Sequence, residues 1–175
     1  AVIKNTEGKT GLFYNEKCVY FEKCVSIQPL YDDTFVFIDV DGNQALNSHL
    51  GPINGFPYCN IKDIDGCHFM ASLRVWNRNS PSGNYVVIDR YGKEMSEHFS
   101  EIGEFENGFA NATYQGRNGT INAAGEMQSK IVMKYGNDTL YERFENYFFS
   151  NQLTGFVSDE YQHVEKLSDK LFIVK

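Results

Sequence analysis

The chain of 175 residues has no excess of basic side chains: 16 Lys and Arg stand against 23 Asp and Glu, a formal charge of −7. Binding a phosphate backbone takes a basic face, so no nucleic acid is expected as partner, and anionic membrane surfaces are disfavoured by the same sign. There is no run of about 18 apolar residues, the length a helix needs to cross a bilayer, so no membrane insertion is expected. No secretory leader pattern opens the chain. It begins at Ala1 rather than Met, which raises the expectation that a tag, a leader or upstream repeats have been removed. Localisation stays open between cytoplasmic and exported.

Chemistry-bearing patterns are equally scarce. The four cysteines (Cys18, Cys24, Cys59 and Cys67) include no C-x-x-C pair, so neither a zinc ribbon nor a thioredoxin-type site is expected. They read as free, partly buried thiols, although four cysteines allow three disulfide pairings. His49, His68, His98 and His163 never fall two or four residues apart, so no metal-ligand spacing appears. Asp39-x-Asp41-Gly42-Asn43 and Asp63-x-Asp65-Gly66 share the opening of a calcium loop, but no bidentate Glu follows at the required distance. Asp-Gly is also a favoured hairpin turn pair, and turn chemistry is the expected role. No G-x-S-x-G, P-loop or G-x-G-x-x-G occurs. No cofactor, no metal and no catalytic residue is expected. Long stretches of helical periodicity are missing too; only Glu94 to Phe105 is a candidate for a helical turn.

What the chain does have is aromatics and repetition. Hydrophobic residues make up 42% and charged residues 22%, a composition that folds. Aromatics reach 15%, with 14 Phe and 11 Tyr, and favour pleated, half-buried surfaces. Phe37-Ile38-Asp39-Val40-Asp41-Gly42, Val87-Ile88-Asp89-Arg90-Tyr91-Gly92 and Thr120-Ile121-Asn122-Ala123-Ala124-Gly125 share one pattern, an apolar run ending in Asp or Asn three residues before a glycine. That pattern is a strand entering a tight turn. Copies without the closing glycine start at Gly11 and Gly155. Between them runs a second motif, Phe21-Glu22-Lys23, Phe105-Glu106-Asn107 and Phe144-Glu145-Asn146, and these read as equivalent positions. Both ends, Ala1 to Lys4 and Leu171 to Val174, match the third strand of a unit.

Each unit is therefore expected to be a small antiparallel sheet that cannot bury its apolar face alone, and stacked or radially arranged units solve that problem. The expected fold class is all-β: about five short antiparallel hairpin or three-stranded repeat units in one domain, residues 1–175. A propeller-like or barrel-like arrangement is favoured because closure hides sheet edges.

Val87-Ile88-Asp89-x-x-Gly92-Lys93, then Phe105-Glu106-Asn107-Gly108-Phe109-Ala110, then Gly116-x-x-Gly119 resemble the bacterial WG (or KWG) repeat. The resemblance covers nearly all of the chain and is strongest from Tyr85 to Gly125. The name-giving Trp is absent: Thr10-Gly11, Asn118-Gly119 and Thr154-Gly155 stand where Trp-Gly is expected, and the lone Trp76 lies elsewhere. The resemblance implies a bacterial β-repeat that binds or scaffolds and carries no catalytic residues.

The periodic Phe residues read as core, so contacts with a partner are expected where the repeat is interrupted. Ser48 to Lys62 and Trp76 to Asn84 are such interruptions, and insertions in repeat proteins form loops, often on a binding face. Phe56, Tyr58, Trp76 and Arg78 are the candidate binding residues. Asn111-Ala112-Thr113, Asn118-Gly119-Thr120 and Asn137-Asp138-Thr139 are formal glycosylation sequons but read as turn residues. The expected function is a non-catalytic binding or protein-interaction module, its partner a protein, a peptide or an envelope glycan. The alternatives are a glycan-active hydrolase or lyase with a carboxylate-lined cleft, and a structural spacer of a larger protein.

Overall fold

A computed structural model describes residues 1–31, 33–47, 55–73, 84–168 and 171–175. Trp76, Arg78 and His49 lie outside the described residues.

The described residues form seventeen strands and no helix. β1 (Val2–Lys4), β2 (Thr10–Tyr14) and β3 (Lys17–Tyr20) make the first sheet. β4 (Cys24–Tyr31), β5 (Thr34–Asp39) and β6 (Gln44–Asn47) continue through a single residue pair, Gln44 with Tyr58, into β7 (Tyr58–Asp63), β8 (His68–Leu73) and β9 (Tyr85–Asp89). β10 (Glu101–Ile102), β11 (Phe109–Tyr114) and β12 (Arg117–Asn122) form the third sheet, and β13 (Lys130–Tyr135), β14 (Asp138–Arg143) and β15 (Asn146–Asn151) the fourth. β16 (Val164–Ser168) and β17 (Leu171–Val174) form a two-stranded fifth. The protein is thus an all-β array of five antiparallel sheets; the six-stranded one spans the second and third repeat units (β4–β6 and β7–β9), so that β10–β12 and β13–β15 are the fourth and fifth units. The first and last sheets do not pair, so no closed barrel forms among the described residues.

One turn sets the repeat. At Asp39 the side chain Oδ1 accepts from the N–H of Asp41 and Asn43 at 2.9 and 2.8 Å, while Gly42 N–H donates to the Asp39 carbonyl at 3.1 Å. Asp89 repeats this with Tyr91, Lys93 and Gly92. Asn122 accepts from Glu126, and its carbonyl accepts from Gly125. Asn5 accepts from Glu7 and Lys9, with Gly8 on its carbonyl, and Asn151 accepts from Leu153 and Thr154, with Gly155 on its carbonyl. A short carboxylate or amide side chain that caps its own turn explains the choice of Asp or Asn. The first and last copies are therefore Asn5 to Gly8 and Asn151 to Gly155. The segment after Gly11 is the strand that follows such a turn, and Gly155 closes one.

The same geometry corrects the equivalence of Phe105 and Phe144. Phe105-Glu106 leads into the turn Asn107-Gly108, between the first and second strands of its unit. Phe144-Glu145 is itself the turn between the second and third strands of the next unit, both residues at positive φ (50° and 59°). The matching turn in the preceding unit is Gln115-Gly116. Paired left-handed residues match the twist of a hairpin, which is why both turns can carry similar sequences. The chain from Glu94 to Phe105 forms no helical turn. It bridges back to β9 at Glu94 and Phe99 before β10, because Phe99 is pulled fully into the core.

The core is layered between consecutive units. Leu12, Phe21, Cys24, Ile27, Phe37 and Ala45 fill one layer. Val36, Leu46, Tyr58, Phe69, Ala71, Val86 and Ile88 fill the next. Val87, Phe99, Ala110, Ala112, Ile121 and Phe144 fill the third. Side chains alternate along a strand, so β5 sends Val36 one way and Phe37 the other, and β9 divides Val86 and Ile88 from Val87. β5 and β9 are thus buried on both faces. The units also touch through their turns: a Cβ on Gly92, at φ +76°, would lie 2.7 Å from the Leu46 carbonyl oxygen of the unit before.

Candidate functional site

The expected contact residues that the structure describes belong to the core. Tyr58 is 3% exposed and packs against Val36, Leu46 and Phe69; its hydroxyl donates to the Gly92 carbonyl at 3.4 Å. Burial, reinforced by the negative charges of Glu94 and Asp89, pushes its pKa up to about 12. Phe56 is half-buried against the Leu12 and Phe37 layer. The Tyr58 ring offers no free face to a partner, because the first strand of the third unit starts where the insertion meets the core. Among the cysteines only Cys24 is buried; Cys18, Cys59 and Cys67 are exposed, and all four are free. Burial raises the Cys24 thiol pKa, against the smaller opposing effects of backbone hydrogen bonds, so it stays protonated.

A concavity lies elsewhere, between the fourth and fifth units. It encloses about 870 Å³. One wall is the outer face of β11 and β12, where Asn111 sits opposite Thr120 and Thr113 opposite Asn118. Thr113 Oγ1 donates to Asn118 Oδ1 at 3.0 Å. The facing wall holds Gln128, Ser129 and the ion pair Lys130 Nζ to Glu142 Oε2 at 2.9 Å. That pair raises the Lys130 pKa. Phe109, 49% exposed, stands among the lining side chains.

Phe144 sets the separation of the two units. Its ring is 4% exposed and lies 6.0 Å from Phe99 and 6.2 Å from Tyr114, between centroids. A Cβ on Gly119 would fall 2.4 Å from that ring, so only glycine admits it. Glu145, next in the turn, accepts from the backbone N–H and the amide of Asn118 at 3.2 and 3.3 Å. Asn118-Gly119 is thus a socket for the following unit's turn. A second, more acidic groove of about 850 Å³ lies on the other side of Phe144, with Glu94, Glu97, Glu126 and Glu160 around Arg117 and Arg143. There Arg143 and Asn146 both bind Glu160.

The Asn and Thr residues of the first groove were visible in the sequence as two sequons. Their spacing of two residues places both members on one face of a strand, a signal that the turn-forming tendency of Asn, Gly and Thr hides. Among the described residues no three His, Cys, Asp or Glu side chains converge to hold a metal ion. No helix there is long and apolar enough to cross a membrane.

No protein-family model matches the chain, and no curated protein matches it. Solved structures similar to this chain include the computationally designed Ika8 protein, at 12% identity over 99% of this chain and 64% of that one, TM-score 0.31. Hsv2 of Kluyveromyces lactis is 8% identical over 91% of this chain and 59% of that one, TM-score 0.35. The WD40 β-propeller domain of Doa1 is 9% identical over 99% and 73%, TM-score 0.29. This chain spans less than two thirds of the length of the first two.

Proposed function

We propose that the chain is a non-catalytic interaction module of WG-like repeats, and that it takes an extended, largely uncharged segment of a partner protein along the groove between its fourth and fifth units. The observation that carries this reading is the ladder Asn111, Thr120, Thr113 and Asn118 beside the exposed ring of Phe109. Amide and hydroxyl groups both donate and accept, which suits the alternating N–H and C=O of an extended chain. The Phe109 ring supplies apolar contact for its side chains. Four of the five Asp- or Asn-capped turns support the WG-like reading, since they reproduce the spacing of its Asp-x-x-Gly. The segment carrying Trp76 and Arg78 is a second contact in this proposal: it joins β8 to β9 by residues 74–84, where the fourth and fifth units use two-residue turns.

The test is selection of binders from a displayed random-peptide library, followed by titration of the enriched peptides. Replacing both Asn111 and Thr120 with Ala is expected to weaken binding about tenfold or more, as two hydrogen bonds of about 1 kcal/mol each are lost. A library that yields no binder, or peptides that bind the double variant equally well, would overturn this assignment.

A further inference from the structure

We infer, resting on the binding reading above, that the segment held between the fourth and fifth units carries one basic side chain, Lys or Arg, four residues from an apolar one. The basic group sits on Glu101 and the apolar one on Phe109. The fold leaves this groove polar where other units are not. Two residues before each turn-capping residue lies a cross-strand pair. It is Ile27 with Phe37 in the second unit, Met70 with Val87 in the third and Leu140 with Phe149 in the fifth, but Asn111 with Thr120 in the fourth. Phe37 and Val87 are fully buried and Leu140 is 5% exposed, whereas Asn111 is exposed. Asn and Thr gain nothing from a dry layer, so their hydrogen-bonding groups stay available to a partner.

The floor of the groove has three rows. Residues directly opposite in neighbouring strands point to the same face, and that face repeats every second residue. The first row is Glu101, Thr113 and Asn118, since Thr113 pairs with both others. The second is Gly103, Asn111 and Thr120, with the Gly103 N–H donating to the Asn111 carbonyl at 2.8 Å. The third holds Phe109 opposite Asn122. An extended segment laid along β11 turns every second side chain to this floor, so its own spacing equals that of the rows. The first and third rows therefore meet residues four apart in the segment, about 13 Å from one another. Gly103 brings no side chain to the middle row, which lets the segment lie close.

Charge decides what the first row takes. On the facing wall Lys130 Nζ lies 2.9 Å from Glu142 Oε2, so those two charges cancel. Glu101 is exposed, and its carboxylate has no partner among the described residues. The lining therefore keeps one negative charge, at the Glu101 row. A Lys or Arg gains an ion pair there, and an Asp or Glu is repelled. The third row offers the half-exposed Phe109 ring and no charge, so it takes an apolar side chain.

The test compares the peptides that a displayed random-peptide library enriches on the unsubstituted chain and on Glu101→Lys. The unsubstituted chain is expected to enrich peptides with one Lys or Arg four residues from an aliphatic or aromatic residue. Glu101→Lys should enrich Asp or Glu at the basic position and leave the apolar one unchanged. Titrated with the peptide that binds the unsubstituted chain best, Glu101→Gln should bind about two- to fivefold more weakly at low salt, and the difference should shrink at high salt. Glu101 is exposed on a two-residue edge strand, so both variants are expected to fold like the parent. Peptides that depend on Asn111 and Thr120 but carry no basic residue, show another spacing, or keep the same charge preference on Glu101→Lys would overturn this inference and leave the groove reading standing. A library without binders, or binders indifferent to the Asn111 and Thr120 replacements, would overturn both.

Discussion

The middle of the array and its two ends are built from the same strands and turns, yet they dispose of their apolar side chains differently. In the middle, Phe37, Phe69, Val86, Val87, Ile88, Phe99 and Ile121 are all fully buried. At the ends, Val2, Phe13, Tyr14, Ile131, Phe156 and Val157 are between 45% and 60% exposed, apart from Leu153 at 79%. The difference follows from neighbours. β5 and β9 have a layer of core on each face, whereas β1 and β13 contribute to none of the three layers. A repeat that cannot bury its own face takes its stability from the interfaces beside it. Stability should therefore be concentrated in the middle.

The largest effect that could break this comparison comes from Phe69→Ala, which empties the middle layer and is expected to cost about 3–5 kcal/mol in urea unfolding. A loss of less than about 1 kcal/mol would mean the middle is no better packed than the ends. Tyr58 sharpens the same contrast through pH. Its folded pKa, raised to about 12, lies above the ordinary value of about 10. The stabilisation is fully present below pH 10, declines as pH rises from there, and is lost by pH 12, on the order of 2 kcal/mol in all. Tyr58→Phe should remove that alkaline step, read as stability against pH. An unchanged step would place it on another group.

Gly119→Ala drives a methyl into the Phe144 ring and should cost about 1–3 kcal/mol. If it is neutral, the Phe144 turn does not hold the fourth and fifth units together. Among the capped turns, Asp89→Ala removes acceptors for Tyr91 and Lys93 next to the middle layer and is expected to cost about 1 kcal/mol, by analogy with loss of a helix cap. The smallest effect is expected at Phe156, where replacement by Ser should change stability by less than about 0.5 kcal/mol.

Much of this was legible in the residues. The apolar runs ending in Asp or Asn before glycine gave the strand and its turn, because both depend on local chemistry. Asn5 and Asn151 were harder to see. Asn5 follows only a three-residue strand, and the Asn151 turn carries one extra residue before its glycine. Phe105 and Phe144 look alike in sequence, and only the hydrogen-bonded partners reveal that they serve different turns. Tyr58 shows the same limit for the site. Its Gly- and Pro-rich surroundings read as a loop, yet pairing with both Gln44 and Leu73 draws its ring into the core. The Asn and Thr groove was spelled out at a spacing of two residues, but its second wall comes from the next unit, and no local pattern announces that.

Native-state amide hydrogen exchange tests the contrast between middle and ends most directly. The account predicts that the slowest amides of β8 and β9 exchange only through global unfolding, while those of β13 and β16 exchange through cheaper local opening and much faster. Equal protection in both regions, or greater protection at the ends, would contradict it.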